Sequence, residues 1–323
     1  MAKKKHRDRR WGKAPQPLSA PIIDNHTHVA STVEYSNYMS ATAVSRGQDP
    51  VPVYSGEELL RQAKAVGVAH IIDVACELPN LMTAVNIAKQ YPHTVKAAVA
   101  IHPNETVLHG HRGEAGPDGL ELNYQPWHDV SIEDALAHVY AVAKNNSDDV
   151  VAIGETGLDY FRTGEGARQF QRDAFRVHIA LAKELSIAMQ IHDRDAHDDV
   201  IDILLADGAP EGTVFHSFSA GKDVAEIANK HGWYLSFSGT MTYKANEHIR
   251  EALSIIDRRH ILIETDAPYL TPEPYRGRTN SSYMTPYTLR MMAHVLGESE
   301  ADTARLTFEN TVRAYGLPYD SVK

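Results

Sequence analysis

Residues 21–28, PIIDNHTH, carry two histidines two positions apart at the end of an apolar run. In a β-strand, side chains at i and i+2 lie on the same face, with their Cα atoms roughly 6.5 Å apart. The imidazoles of His26 and His28 could therefore bind one metal ion. An isolated His-x-His pair is more often a hydrogen-bonded or surface pair, so this interpretation depends on the rest of the chain.

Other ionisable residues also follow apolar runs. Glu155, His192, His216 and Asp266 each lie at the C-terminal end of such a run. Barrel enzymes build their active sites at the C-terminal ends of their parallel strands. Histidines scattered through a core would not share this position, so the set predicts a functional site.

The combined donor set of four histidines, a glutamate and an aspartate favours metal chemistry. Nitrogen and oxygen ligands of this kind suit Zn²⁺, Mn²⁺, Fe²⁺, Co²⁺ or Mg²⁺. Six ligands exceed the needs of one tetrahedral ion and suit two ions about 3.5 to 4 Å apart, bridged by a carboxylate. A metal lowers the pKa of bound water from about 15.7 towards about 7, so hydrolysis by a metal-bound hydroxide is the natural reaction class.

The elements that must position these residues alternate along the chain. Eight short apolar or β-branched runs are predicted strands, at residues 21–28, 69–76, 95–103, 150–159, 187–195, 212–219, 234–241 and 260–268. Segments of helical period lie between them, including 56–67, 80–92, 168–186 and 224–232, several closed by Gly or Pro. This alternation predicts an α/β fold, a (β/α)8 TIM barrel, rather than a doubly wound sheet.

Two connections are long for a compact barrel, in which βα loops usually span about two to six residues. They are residues 30–55 and 104–130, and both follow predicted strands, so we expect them to overhang the catalytic face. Their aromatic side chains could stack single-stranded bases. These side chains are Tyr35, Tyr38, Tyr124 and Trp127.

Composition narrows the class of protein. The chain has 323 residues, a formal net charge of −10 and one cysteine, Cys76, which is predicted to be a small buried residue. One cysteine cannot form an intrachain disulfide framework, and no apolar stretch approaches the ~20 residues of a membrane span. We expect a cytoplasmic protein that does not interact with membranes.

The first residues differ in charge from the remainder. We predict a basic, disordered arm at residues 1–18 and a single barrel at residues 19–323. A flexible basic arm could hold phosphates weakly, whereas an acidic body argues against broad electrostatic binding of duplex DNA.

Eight strings of this sequence, in order, resemble the motifs of the TatD family of metal-dependent deoxyribonucleases. They are DNHTH, GETGLDYFR, FQRDAFRVHIALAKEL, QIHDRDA, FHSFSAG, LSFSGTMTYK, LIETDAPYLTP and RGRTN. The resemblance extends from about residue 21 to ENTVRAYG near the end of the chain. It implies a distorted TIM barrel of the amidohydrolase type that hydrolyses phosphodiesters with divalent metal ions.

The resemblance also assigns roles to the candidate ligands. His26, His28, Glu155 and Asp266 would hold one ion, and Glu155 would bridge to a second ion that His192 and His216 complete. In many amidohydrolases a carboxylated lysine takes the place of Glu155, so the glutamate favours the TatD branch. Asp266 would also accept a proton as general base.

Four residues are candidates for substrate contacts. Arg194 and Arg278 present fork-shaped donors that match phosphate oxygens, or they brace loops through carboxylates. His102 could contact a phosphate or cap a loop, and Trp127 could stack a base or pack its loop. Asp193 stands where the family more often has a small polar residue, and it adds negative charge beside the ligands.

Three functions remain open from the sequence. The favoured one is a 3′-to-5′ exonuclease acting on single-stranded DNA ends. The second is hydrolysis of the ester of a D-aminoacyl-tRNA, and the third is a nucleic-acid-binding protein that acts through its basic arm.

Overall fold

The computed structural model describes residues 10–110, 116–120 and 123–318. Within these residues, eight parallel strands form one sheet in sequential order, each pairing with the next. The strands are β1 (Ile22–Thr27), β2 (Val68–Ala75), β3 (Val95–Val99), β4 (Val150–Asp159), β5 (Ala188–Arg194), β6 (Thr213–Phe215), β7 (Tyr234–Phe237) and β8 (Ile261–Ile263). All eight lie within the apolar runs predicted to be strands, apart from one residue at the start of β2.

The sheet curls into a nearly closed barrel whose seam lies between β1 and β8. The amide of Asp266 donates to the carbonyl of His26 at 2.9 Å, and the amide of His28 donates to the carbonyl of Ala267 at 2.9 Å. These two bonds join the carboxyl ends of the first and last strands. The predicted (β/α)8 TIM barrel is confirmed.

Helices occupy the connections between the strands. Those of the described residues are α1 (Val29–Ser45), α2 (Gly56–Ala65), α3 (Leu81–Gln90), α4 (Pro103–Gly110), α5 (Ile132–Asn145), α6 (Arg168–Leu185), α7 (His197–Asp207), α8 (Lys222–His231), α9 (Glu247–Ile255), α10 (Thr285–Leu296) and α11 (Glu300–Tyr315). None of them combines the length and apolar character needed to cross a bilayer.

The core has two layers. The larger lies between the strands and the surrounding helices, and the smaller fills the barrel interior. Helix α11 lies across the amino-terminal end of the barrel, where Asn310 donates to the carbonyl of Arg258 at 2.6 Å. Its last residue, Tyr315, donates to Oδ1 of Asn25 on β1 at 2.9 Å. The opposite, carboxyl end of the barrel is the end that bears the predicted site.

The long connection predicted at residues 30–55 is largely helical, so its prediction as a loop was wrong. Helix α1 buries Val29, Thr32, Ser36, Met39 and Ala43, which recur at helical spacing. Small polar residues on this buried face hide the apolar periodicity that would have revealed the helix.

The second connection begins with α4 and includes a short 3-10 helix at Pro126–Asp129. Its residues 111–115 and 121–122 lie outside the described residues.

Part of the predicted N-terminal arm packs on the barrel. The indole of Trp11 donates to the carbonyl of Pro52 at 2.7 Å, and its ring lies 5.2 Å from that of Tyr54. The hydroxyl of Tyr283 donates to the carbonyl of Gly12 at 2.8 Å. Residues 10–18 thus contact the body, whereas residues 1–9 lie outside the described residues, and the disorder expected of them stays a prediction.

Candidate metal centre

The structure brings all six predicted ligands together at the carboxyl end of the barrel. His26 is on β1 and His28 follows it, Glu155 is on β4, His192 is on β5, and His216 and Asp266 follow β6 and β8. Their sequence positions are far apart, so the parallel strand order creates this cluster.

Glu155 lies at the centre of the cluster and is 6% exposed. Its Oε1 atom is 3.9 Å from Nε2 of His26 and 3.6 Å from Nε2 of His28. Its Oε2 atom is 3.1 Å from Nδ1 of His192 and 2.8 Å from Nε2 of His216. The two carboxylate oxygens therefore face two different groups of nitrogen donors.

The first group is completed by Asp266. Its Oδ1 atom is 3.8 Å from Nε2 of His26 and 3.5 Å from Nε2 of His28. These three donor atoms all lie within 4.8 Å of one another, a spacing that one ion can span.

The environment of His26 fits a metal ion. The residue is fully buried, and neither of its ring nitrogens makes a hydrogen bond within the described part of the chain. A buried polar group without a partner is rare in a folded protein. An ion bound to Nε2 would satisfy it, and the nitrogen and oxygen donors around that atom suit a divalent cation.

The second group contains a residue that was not predicted as a ligand. Nε2 of His102 lies 3.7 Å from Oε2 of Glu155, and His102, Glu155 and His192 have donor atoms within 4.8 Å of one another. Nδ1 of His102 accepts a hydrogen bond from the amide of Asn104 at 3.0 Å. His102 thus caps its loop, as one prediction held, and also directs Nε2 into the cluster.

Other contacts orient the histidine rings. The Nδ1–H of His28 donates to the carbonyl of Val74 at 2.9 Å, so Nε2 faces the cluster. Nε2 of His192 is 3.1 Å from Oδ2 of Asp159, which leaves Nδ1 towards Glu155. Hydrogen bonds of this kind fix the ring orientation of histidine ligands.

Glu264 has a similar position beside His216, with Oε1 3.4 Å from Nδ1. Asp159 and Glu264 were not predicted as functional residues. Asp159 lies in the string GETGLD and Glu264 in the string LIETDAP, and these two motifs were the available sequence signal.

The carboxylates control the protonation of the cluster. Burial alone would lower the pKa of His28, but the carboxylates of Asp266 and Glu155 raise it to about 9. Burial acts in the same way on His192, and there the carboxylates of Asp159 and Glu155 raise the pKa to about 9. At Glu155 burial acts upwards, and the neighbouring histidines hold the pKa well below its usual range. A metal ion entering this cluster would displace protons from the histidines.

The turn that carries Asp266 has a constrained backbone. Asp266 adopts a left-handed φ of 54°, a conformation that aspartate tolerates better than most residues. The carboxylate of Asp24 accepts hydrogen bonds from the amide and the hydroxyl of Thr265, at 2.9 and 2.6 Å. The buried Asp24 thereby fixes the backbone that presents Asp266.

Cys76 is close to the first group, with Sγ 3.7 Å from Oε1 of Glu155. Burial, followed by the charge of Glu155, raises the pKa of this thiol well above its usual value. It is therefore neutral, but it is half-buried rather than fully buried as predicted.

The two arginines predicted to contact substrate each make a contact within the protein. The guanidinium of Arg194 stacks on the ring of Phe161, with its Cζ atom 3.9 Å from the ring centroid. Arg278 donates to the carbonyl of Trp11 at 3.3 Å and so braces the N-terminal segment. Their roles as phosphate ligands stay predictions.

Trp127 and Asp193 are held by neighbouring side chains. The indole of Trp127 lies 3.5 Å from Oε2 of Glu105. Oδ2 of Asp193 is 2.7 Å from Nδ1 of His197 and raises the pKa of that imidazole. The extra carboxylate beside His192 therefore has His197 as a partner.

Comparisons with known proteins agree with this geometry. The family model described as TatD related DNase matches residues 23–316. An uncharacterized metal-dependent hydrolase TatD of Mycobacterium tuberculosis is 34% identical over 300 residues, which is 92% of this chain and 98% of the relative. An uncharacterized metal-dependent hydrolase YabD of Bacillus subtilis is 33% identical over 262 residues, 81% of this chain and 92% of the relative.

A solved structure also matches the fold. YJJV, a TatD homologue from Escherichia coli, superposes with a TM-score of 0.72 at 23% identity, covering 92% of this chain and 98% of that one.

Proposed function

The chain belongs to the TatD related DNase family, and on this premise we propose that it is a metal-dependent hydrolase that cleaves phosphodiester bonds of DNA. We infer that it uses two divalent ions and removes nucleotides from the 3′ ends of single strands. A membership in the family gives the general chemistry, whereas the substrate has to be argued from the site.

One observation carries the proposal. The two oxygens of Glu155 face separate groups of donors. Oε1 faces the group of His26, His28 and Asp266, and Oε2 faces His192 and His216. A single ion would leave one of these groups without a role. Two ions bridged by a carboxylate use both, and such pairs recur in phosphatases and nucleases.

The ions would act as Lewis acids on the phosphoryl oxygens and would lower the pKa of a water molecule. The chain supplies the remaining parts. The carboxylate of Asp266 is 14% exposed, more than that of Glu155 at 7%, so Asp266 can reach the substrate side and accept a proton. Asp159 and Glu264 hold His192 and His216 in place.

The experiment is product analysis on end-labelled DNA and RNA, single-stranded and duplex, with metals restored after chelation. We expect no cleavage in chelator, recovery with a divalent ion, and mononucleotide release from the 3′ end of single-stranded DNA. A D-aminoacyl-tRNA assayed in parallel tests the ester alternative. Cleavage of that ester without any cleavage of DNA would overturn the proposal.

A further inference from the structure

A cleft of about 560 Å³ opens beside the turn that carries Asp266. Its walls come from α1, from the segment after β7 and from the segment after β8, and they include Tyr35, Tyr243, Tyr269, Thr271, Arg276 and Arg278. This set differs from the residues that line the metal cluster. It combines aromatic rings with two cations in a protein whose net charge is −10.

Tyr269 connects the cleft to the cluster. Its amide donates to the carbonyl of Asp266 at 2.9 Å, and the side chain of Asn280 donates to the carbonyl of Tyr269 at 2.6 Å. The backbone of Tyr269 is therefore fixed relative to Asp266, while the residue is 56% exposed. A large, exposed aromatic side chain on a fixed backbone is a preformed surface for a flat ligand.

Pro268 and Tyr269, which follow Asp266 closely in the chain, both line the cleft. The cleft is therefore adjacent to the turn that presents Asp266.

Arg276 provides a positioned cation in the same cleft. Its Cζ atom lies 4.2 Å from the ring centroid of Tyr243. That tyrosine is buried, and its hydroxyl donates to the carbonyl of Thr271 at 2.9 Å, so the ring is a rigid support. Arg276 itself is exposed, and its planar donors match phosphate oxygens.

We propose that this cleft is a nucleotide subsite, in which Tyr269 stacks the base next to the scissile phosphodiester and Arg276 binds the flanking phosphate. The inference rests on the proposed function for the identity of the reacting bond. Stacking on one aromatic ring and one charge-assisted phosphate contact bind single-stranded DNA without sequence readout. The two arginines of the cleft also add local positive charge to a protein of net charge −10, which offsets repulsion of a phosphate backbone.

The test uses the metal-loaded full chain and a fluorescent single-stranded oligonucleotide of about six nucleotides, whose phosphorothioate linkages resist hydrolysis. We expect Tyr269→Ala and Arg276→Gln each to weaken binding about ten-fold by anisotropy, and Tyr269→Phe to bind like the wild type. Tyr140→Ala and Arg259→Gln are matched controls, since Tyr140 is partly exposed on α5, Arg259 is exposed, and neither residue lines the cleft. Circular dichroism verifies that each variant is folded.

A second readout separates the subsite from the reaction. On a hydrolysable single strand of the same length, Tyr269→Ala should raise KM about ten-fold and change kcat much less, because stacking acts on binding. If the cleft variants bind the oligonucleotide more weakly but the wild type hydrolyses no phosphodiester, the subsite is supported and the proposed function is overturned. No binding by the wild type, or equal binding by wild type and Tyr269→Ala, would overturn the subsite.

Discussion

At the scale of single residues, the centre depends on charge balance among groups that are almost fully buried. His26 has no hydrogen-bond partner among the described residues, and the rings around it are directed by carboxylates and a carbonyl. Removing one of these carboxylates leaves buried donors unsatisfied, which is costly in a low-dielectric interior.

Glu155→Ala should weaken both metal groups together, because each carboxylate oxygen faces one of them. Outer contacts of a metal site contribute about 10–100-fold to affinity, and a bridging ligand should contribute at least that much. His216→Ala should chiefly empty the second group. Metal content after dialysis is the measurement, with the exposed Glu251→Ala as control, and two ions retained by Glu155→Ala would refute the bridge.

Asp266→Asn should lower turnover by about two to four orders of magnitude, because the amide cannot accept the proton that the carboxylate takes. The shape of the side chain is preserved, so the fold should be unaffected. Steady-state kinetics on single-stranded DNA measure the effect, and the exposed Asp173→Asn serves as control. Near-normal turnover in Asp266→Asn would remove it as general base.

The metal-free protein should become less stable as the pH rises from 6.5 to 9. The pKa values of His28 and His192 are raised to about 9 in the folded chain, above the usual 6.5. The stability they contribute is complete below pH 6.5 and is lost as the pH rises through 9. A loss of ~1 kcal/mol lowers the Tm by about 2 °C or more.

Thermal unfolding of chelated protein across this pH range is the measurement. Metal-loaded protein is the control, and its Tm should rise with pH because ions replace the protons. A flat profile for the chelated protein would contradict the assignment.

At the scale of elements, β4 and β5 approach each other closely beside the donor His192. Gly157 on β4 pairs with His192 on β5 and has a φ of +130°. A Cβ atom at Gly157 would lie 2.1 Å from the carbonyl oxygen of His192. This position therefore requires glycine both for its φ and for the approach of the neighbouring strand.

Gly157→Ala should destabilise the fold by more than about 2 kcal/mol and weaken the second metal group, since His192 must move. Gly297→Ala is the matched control, because its φ is +69° and no atom lies within 4 Å of an added Cβ. It should cost about 1 kcal/mol. Denaturant unfolding and metal titration measure the two effects, and equal losses in both variants would show that the strand contact is unimportant.

The sequence predicted the strands and the six donors because both are local signals. An apolar run ending in a histidine or carboxylate is visible without knowing its neighbours. Asp159, Glu264 and His102 have a role only because they contact His192, His216 and Glu155, which lie on or after other strands. Those contacts exist only once the strands are assembled into the barrel. Helix α1 was missed for a different reason, since Ser36 and Thr32 on its buried face resemble loop residues.

At the scale of the whole molecule, the N-terminal segment and the barrel form one packed unit from residue 10 onward. Trp11 packs against Tyr54 and Tyr283, and the amide of Leu18 donates to the carbonyl of Val66 at 3.0 Å. A half-buried tryptophan and its hydrogen bonds contribute stability on the order of 1–3 kcal/mol.

Deleting residues 1–9 should leave metal-dependent hydrolysis intact, whereas deleting residues 1–18 should lower the Tm by several degrees, roughly 2–4 °C per kcal/mol lost. Unfolding and hydrolysis of a small phosphodiester are measured for both truncated chains. Loss of hydrolysis on removal of residues 1–9 alone would contradict this prediction, whereas nucleic-acid binding without any hydrolysis by the full chain would favour the binding protein.

The seam between β1 and β8 has a consequence for how the protein is made. Asp24 and Thr265, which join there, are 241 residues apart in the chain. During synthesis β1 leaves the ribosome long before β8 has been made. His26 and His28 therefore lack Asp266, the third donor of their group, until nearly the whole polypeptide is complete. We expect that a nascent chain stopped before residue 260 acquires no tightly held first ion, and that tight uptake reports a finished barrel.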